Sequence, residues 1–327
     1  PNYNSANKNK NDDSHSGKGL QTLGYKKGTI TKTANSIRYH QPTWNGNYYE
    51  VLVQWKKISP TEIIGSWTIS NNKKAFLPEL KEVENKLPGW QSHITWWNHF
   101  WAQSSVSLPD SILERQYYLE LYKMGCVARS NTPPISLQAI WTADNGSLPP
   151  WKGDIHNDLN TELSYWPFYA GNHLETSQSF TNWLWKTKEQ NKKWTKHYFE
   201  IDGLNVPGVT TITGKEMGGW IQYSMSPTTA AWLTQHFYWQ WKYSMDKKFL
   251  LEKCKPYFDE VHEYLKKILT IDPVTKKYKL PLDSSPEIFD NSIKAWFHQW
   301  TNYDLSLVKS FYKDYIEICK AATGKVP

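Results

Sequence analysis

NYDLSLVKSFYKDYIEICKAATG, residues 302–324, decides the fold. Leu305, Val308, Tyr312, Tyr315, Cys319 and Ala322 recur at steps of three and four. That period places all six on one face of an α-helix. Asn302 is the expected cap and Gly324 the expected stop. The same period runs backward through the chain. Leu113, Tyr117, Leu121, Met124 and Ala128 step by four, four, three and four, with Asp110 or Ser111 as cap and Glu114 three residues after Ser111. Further helices are expected over about 160–170, 173–198, 227–245 and 247–269, the last two separated by Asp246. Between them lie aperiodic stretches at 131–157, 202–226 and 272–300. Loops of that length inside a helical domain are commonly functional. A mainly α chain of this pattern suggests an α/α toroid whose loops build a pocket.

The amino-terminal part reads differently. Residues 1–18 are almost purely polar and are expected to be disordered. From 19 to about 70 polar and apolar residues alternate, at Thr29–Thr31, Tyr48–Trp55 and Ile63–Ile69, with Asn45-Gly46-Asn47 as punctuation. Antiparallel strands follow from that pattern. A short helix at about Pro78–Lys86 is expected to link them to the rest. The predicted division is therefore 1–18 disordered, 19–75 strands, 76–92 linker helix region and 93–327 helical domain.

Composition removes several classes of function. The net charge is +7, but of 38 basic residues only Arg38, Arg115 and Arg129 are arginines. Bidentate phosphate contacts favour Arg, and the lysines are interspersed with acids, so a solvated surface is expected and not a nucleic-acid partner. No apolar run reaches membrane-spanning length. Cys126, Cys254 and Cys319 are odd in number and scattered, as expected of small buried hydrophobes. No CxxC or HExxH occurs, so neither a metal nor another cofactor is expected. There are 19 tryptophans, several of them in segments that also carry Asn, His, Asp and Gly, as a concave polar site requires.

One such segment is DIHNDLNTELSYWP, residues 154–167. Asp154, Asn157, Asp158 and Asn160 crowd their oxygens just ahead of Tyr165 and Trp166. Helix capping explains such residues. So does a sugar subsite, in which polar side chains grip hydroxyls and an indole meets the ring.

Trp97-Asn98-His99-Phe100-Trp101, NTPPISLQAIW (131–141), LPPWKGDIHNDLNTELSYWP (148–167), AAWLTQHFYWQWKYSMDKKFL (230–250) and SSPE (284–287), in that order, resemble the catalytic domain of glycoside hydrolase family 95 over roughly 95–325. The resemblance implies an (α/α)6 barrel, incomplete at its carboxyl end and preceded by the last strands of a β-sandwich domain. It implies inverting hydrolysis of terminal α-L-fucosyl or α-L-galactosyl residues on glycans, outside the cell or in the periplasm. The family's Ser-Pro-Glu acid maps onto Glu287, and its paired water-holding asparagines map onto Asp158 and Asn160. The first of these is Asp here, so a share in the base role is expected for it. The family's own Asp base and an Arg-His pair are expected beyond Pro327. Glu216, Trp232, His156, Trp166 and Trp141 are the candidate substrate contacts.

Inverting chemistry needs a protonated acid at the leaving oxygen and a base across the ring. Leu282, Ile288 and Phe289 flank Glu287 and are expected to raise its pKa; its competing role is to cap a helix beginning near 288. Asp158 and Asn160 reach one water together if their segment is extended. Two other functions compete: a carbohydrate-binding protein without turnover, and another (α/α)6 hydrolase or phosphorylase.

Overall fold

The structure is a computed structural model that describes residues 21, 24–80, 89–137, 153–289 and 291–326. The disordered segment expected at 1–18, most of the expected linker helix, and Trp141 lie outside the described residues. The chain divides into two compact units, residues 1–101 with 141–152, and residues 102–140 with 153–327.

In the first unit β1 (Thr29–Lys32), β2 (Ser36–Pro42), β3 (Tyr48–Ser59) and β4 (Glu62–Asn71) form an antiparallel meander in chain order. β2 escaped the sequence reading because Gln41 breaks the alternation of Ile37 and Tyr39 with Arg38 and His40. Arg38 and His40 lie on one face, and Gln41 lies on the other beside Tyr39. Buried Glu50 accepts from Arg38 Nη1 at 2.5 Å and from the Ala75 amide at 2.7 Å. Helix α1 (Trp90–Ala102) follows and was not among the expected helices.

In the second unit the helices fall where they were expected, except one at Ile221–Ser224, which lies inside the 202–226 stretch read as an aperiodic loop. They are α2 (Ser111–Val127), α3 (Asn160–Ala170), α4 (Leu174–Phe199), the short α5 (Ile221–Ser224), α6 (Thr229–Ser244), α7 (Lys247–Phe249), α8 (Lys255–Ile268) and α9 (Asn302–Thr323). A π-helical turn at Leu250–Cys254 joins α7 to α8. Two-residue strands β5 (Ile155–His156) and β6 (Val209–Thr210) pair with each other, as do β7 (Thr270–Ile271) and β8 (Tyr278–Lys279). None of the described helices is long and apolar enough to cross a membrane.

Large rings fill the core. Phe237 of α6 stacks on Tyr257 of α8 at 4.2 Å, and Phe258 of α8 stacks on Phe311 of α9 at 5.2 Å. Full burial of one such side chain contributes roughly 2–3 kcal/mol. Some polar groups inside this core find protein partners. The Asn205 side chain donates to Ser226 O and accepts from the Ala230 amide, tying the 202–208 loop to α6.

Several local expectations need correction. Thr301, not Asn302, caps α9, because its hydroxyl accepts from the Asp304 amide. Asp158 and Asn160 do not cap α3: Leu159 holds the cap position with no side-chain hydrogen bond. Asp110 does cap α2, and Gly324 closes α9 with φ 73°. Cys254 and Cys319 are buried, but Cys126 is exposed. On α2 only the second half of the expected stripe is covered; Leu113 stays exposed beside Ile112.

Candidate active site

Four segments meet at one edge of the second unit. β5 leads directly into the turn 157–159 and α3. The Asn157 amide donates to Gly208 O, and the Gly208 amide donates to Tyr223 O. Gln222 Nε2 and the Ile221 amide reach Phe289 O and Asn291 Oδ1. The β5–α3, 207–210, 220–226 and 283–291 segments are therefore mutual neighbours. Gly208 makes this possible: a Cβ there would lie 2.2 Å from Tyr223 O.

On this frame Asp158 and Glu287 come together. Asp158 feels the Glu287 charge, and Tyr223 and His156 feel both. Burial raises the pKa of Asp158 above the usual aspartate value, the His156 cation opposes that, and the Glu287 charge adds to it. His156 Nδ1 lies 3.0 Å from Asp154 Oδ1, and Nε2 lies 3.8 Å from Asp158 Oδ1. Burial works against a charged imidazole, but the hydrogen bond to Asp154 and the charges of Asp158, Asp154 and Glu287 outweigh it, so the His156 pKa is raised. Tyr223 is within hydrogen-bonding reach of Glu287, and its pKa is pushed up to about 12 by burial and then by the Glu287 and Asp158 charges.

Glu287 departs from the sequence reading in two ways. No helix begins near 288, so it is not a cap. Leu282, Ile288 and Phe289 are all about half exposed and build no apolar wall around it. Instead Glu287 occupies the left-handed region with φ 60°, as does Phe289 with φ 59°. Side chains other than glycine hold that conformation only where their surroundings enforce it.

Asn160 is not brought into this cluster. The segment is extended only through His156; Asn160 is already the first helical residue, and it is exposed. The shared face expected of positions 158 and 160 is lost with the extended backbone. Glu216 flanks the site as the outer member of a ribbon: it bridges to Thr210, which pairs with Ile155, and its carboxylate accepts from Tyr198 at 3.1 Å. Trp232 packs edge-on to Tyr303 at 5.8 Å. Trp166 packs against Trp239 at 5.7 Å, on the side of α3 that meets α6.

The sequence reading missed Tyr223, Glu162 and Tyr303. Tyr223 stands beside Glu287, and exposed Trp220 lies against Tyr223 at 6.1 Å. Glu162 is fully buried one turn beyond Asp158, with both oxygens lacking a protein partner; burial drives its pKa well above the ordinary range. Tyr303 feels the charges of Asp304, Glu162 and Asp158. Glu162 stands inside the quoted 154–167 stretch and could have been found there. The others come from distant segments and left no signal. Further buried oxygens without protein partners are Asn157 Oδ1, Asp158 Oδ1, Thr210 Oγ1 and Ser284 Oγ. Such groups are rare in protein interiors and mark places where a ligand or water completes the bonding.

A helical unit with facing carboxylates, flanking aromatics and unsatisfied hydroxyls at one loop-built edge defines a carbohydrate-active class of protein. The particular family follows from comparison. Residues 105–325 match the glycosyl hydrolase family 95 catalytic domain, and the chain belongs to that family. It is 26% identical over 157 residues to alpha-L-fucosidase 2 of Arabidopsis thaliana, covering 47% of this chain and 18% of that one. It is 25% identical over 144 residues to probable alpha-fucosidase A of Aspergillus niger, covering 39% of this chain and 16% of that one. The chain thus spans less than a fifth of either relative's length. Its fold is similar to that of a putative kojibiose phosphorylase from the human microbiome, with TM-score 0.60, 14% identity, and coverage of 90% of this chain and 43% of that one.

Proposed function

We propose that the chain carries the acid-bearing part of an inverting glycosidase that releases terminal α-L-fucosyl or α-L-galactosyl units from glycans, built on part of an (α/α)6 toroid. The carrying observation is the meeting of Asp158 and Glu287, 129 positions apart by number, within each other's electrostatic reach. Glu287 protonates the leaving glycosidic oxygen. Asp158 takes a proton from water on the opposite face of the ring. Inverting hydrolysis needs one carboxyl that gives a proton and one that takes it on opposite faces of the ring. His156 fixes Asp158 by charge, and Asp154 fixes His156 in turn. Trp220 offers a ring face to the sugar, and the unsatisfied oxygens of Asn157, Thr210 and Ser284 offer partners for its hydroxyls.

The test is release of phenol from an aryl α-L-fucoside and an aryl α-L-galactoside, with the first-formed anomer read by proton NMR. Release of the inverted β-anomer, unaffected by inorganic phosphate, is expected. Binding of either sugar without release would instead support a lectin-like protein, and release only in the presence of phosphate would support a phosphorylase.

A further inference from the structure

We propose that Asp283 and Asp304 share one buried proton and that this carboxyl pair positions the loop carrying Glu287. The inference takes its functional meaning from the reading of Glu287 as the acid. Its structural content is independent of turnover.

Both side chains are completely buried, and Asp283 stands close enough for its charge to act on Asp304. Two carboxylates cannot both be charged at that separation in a dry interior. The pair is built into the root of the loop. Asp283 Oδ2 accepts from the Thr301 amide and Oδ1 from the Thr301 hydroxyl, each at 2.9 Å. The Thr301 hydroxyl also lies 3.0 Å from Ser284 O. Asp304 Oδ2 accepts from the Ser284 amide at 3.2 Å, and Oδ1 accepts from the Thr228 hydroxyl. Asp283 also pairs through its backbone with Phe297. The 284–300 segment therefore leaves and returns at one point, pinned to the start of α9 and to the residue ahead of α6. Glu287, held in the left-handed region, stands three residues from that pin.

The other titratable groups facing Asp304 are Tyr264 of α8 and Tyr303 of α9, and Asp158 and Glu162 reach it only through Tyr303. None of these is a cation. Burial first, and then Asp283, raise the Asp304 pKa to about 9. The proton is thus retained at neutrality. Its loss above that pH sets two buried negative charges against each other and loosens the pin.

Amide hydrogen exchange of the 327-residue chain between pH 6 and 10.5, corrected for intrinsic rates, tests this directly. Protection of the Ser284 and Thr301 amides is expected to hold to about pH 8 and then to fall at least tenfold. Asp304→Asn supplies the donor permanently, so protection should persist through pH 10. Asp283→Asn should flatten the profile in the same way at lower protection. Flat wild-type protection, a persisting alkaline fall in both variants, or failure of both to fold would overturn the proposal. Turnover gives the second readout: Asp304→Ala lowers kcat at every pH, and Asp304→Asn restores it with the alkaline limb moved upward. Failure in exchange leaves the glycosidase reading intact, whereas absent turnover with the expected exchange leaves the pair intact.

Discussion

Asn205 and Glu162 are both buried polar residues of the same unit, and they are treated in opposite ways. Asn205 donates to Ser226 O, accepts from the Ala230 amide, and donates its own backbone amide to Thr195 Oγ1. Glu162 makes no side-chain hydrogen bond to protein with either oxygen. The difference separates two regions. Between α4, α6, α8 and α9 the rings stack, and the buried atoms left without a protein partner, such as Asn191 Oδ1, His236 Nε2 and Tyr257 Oη, belong to uncharged amides, rings and hydroxyls. Along the edge from β5 to the 283–291 loop, the buried atoms left open include carboxyl oxygens of Asp158 and Glu162. A buried polar group without a partner costs about 1–3 kcal/mol, and a charged one more. A region that keeps carboxyl groups buried and open is shaped for something other than stability.

Substitutions should therefore separate activity from stability by region. Asp158→Asn removes the proposed base and is expected to lower kcat by roughly 10²–10⁴-fold with little change in Tm; steady-state kinetics and calorimetry on one sample check this. Phe237→Ala removes the ring stacked on Tyr257 and should destabilise by about 3–5 kcal/mol in urea titration, while any surviving folded protein keeps its substrate preference.

Glu162 links the two regions through pH. Its folded pKa lies above its unfolded value, so the stability it contributes is complete below about pH 4. That stability declines as pH rises toward the folded value, by up to about 1.4 kcal/mol per pH unit. Glu162→Gln is expected to remove this slope and to stabilise the protein at neutral pH, measured by denaturation across pH 4–8. The smallest effect belongs to His156→Gln. Loss of the cation should raise the Asp158 pKa further and move the acid limb of kcat/KM up by about one pH unit; an unmoved limb would separate His156 from Asp158.

Much of the helical region was legible from residues, because amphipathic periods survive packing: α2, α4, α6, α8 and α9 fall where Leu, Val and Tyr spacing placed them. α1 was missed, although Trp90, Ile94, Trp97 and Trp101 recur at steps of four, three and four with Gln91, Thr95 and Asn98 on another face. Site membership was legible only where one segment carried it. Asp158 and His156 stand in a single quoted stretch, and Glu287 came from the resemblance of SSPE. Tyr223, Asp283 and Asp304 reach the site through Gly208, Thr301 and Thr228, contacts between distant segments that no local pattern encodes. Asn160 was misplaced for a local reason: α3 starts one residue too early for it to stay extended beside Asp158.

The central claim, that Glu287 is the proton donor to the leaving oxygen, is tested most directly by leaving-group dependence in Glu287→Gln. Hydrolysis of α-L-fucosyl fluoride, whose leaving group needs little protonation, should be largely retained, while hydrolysis of an alkyl α-L-fucoside falls by roughly 10²–10⁴-fold. Equal losses on both substrates, or no loss on either, would contradict it.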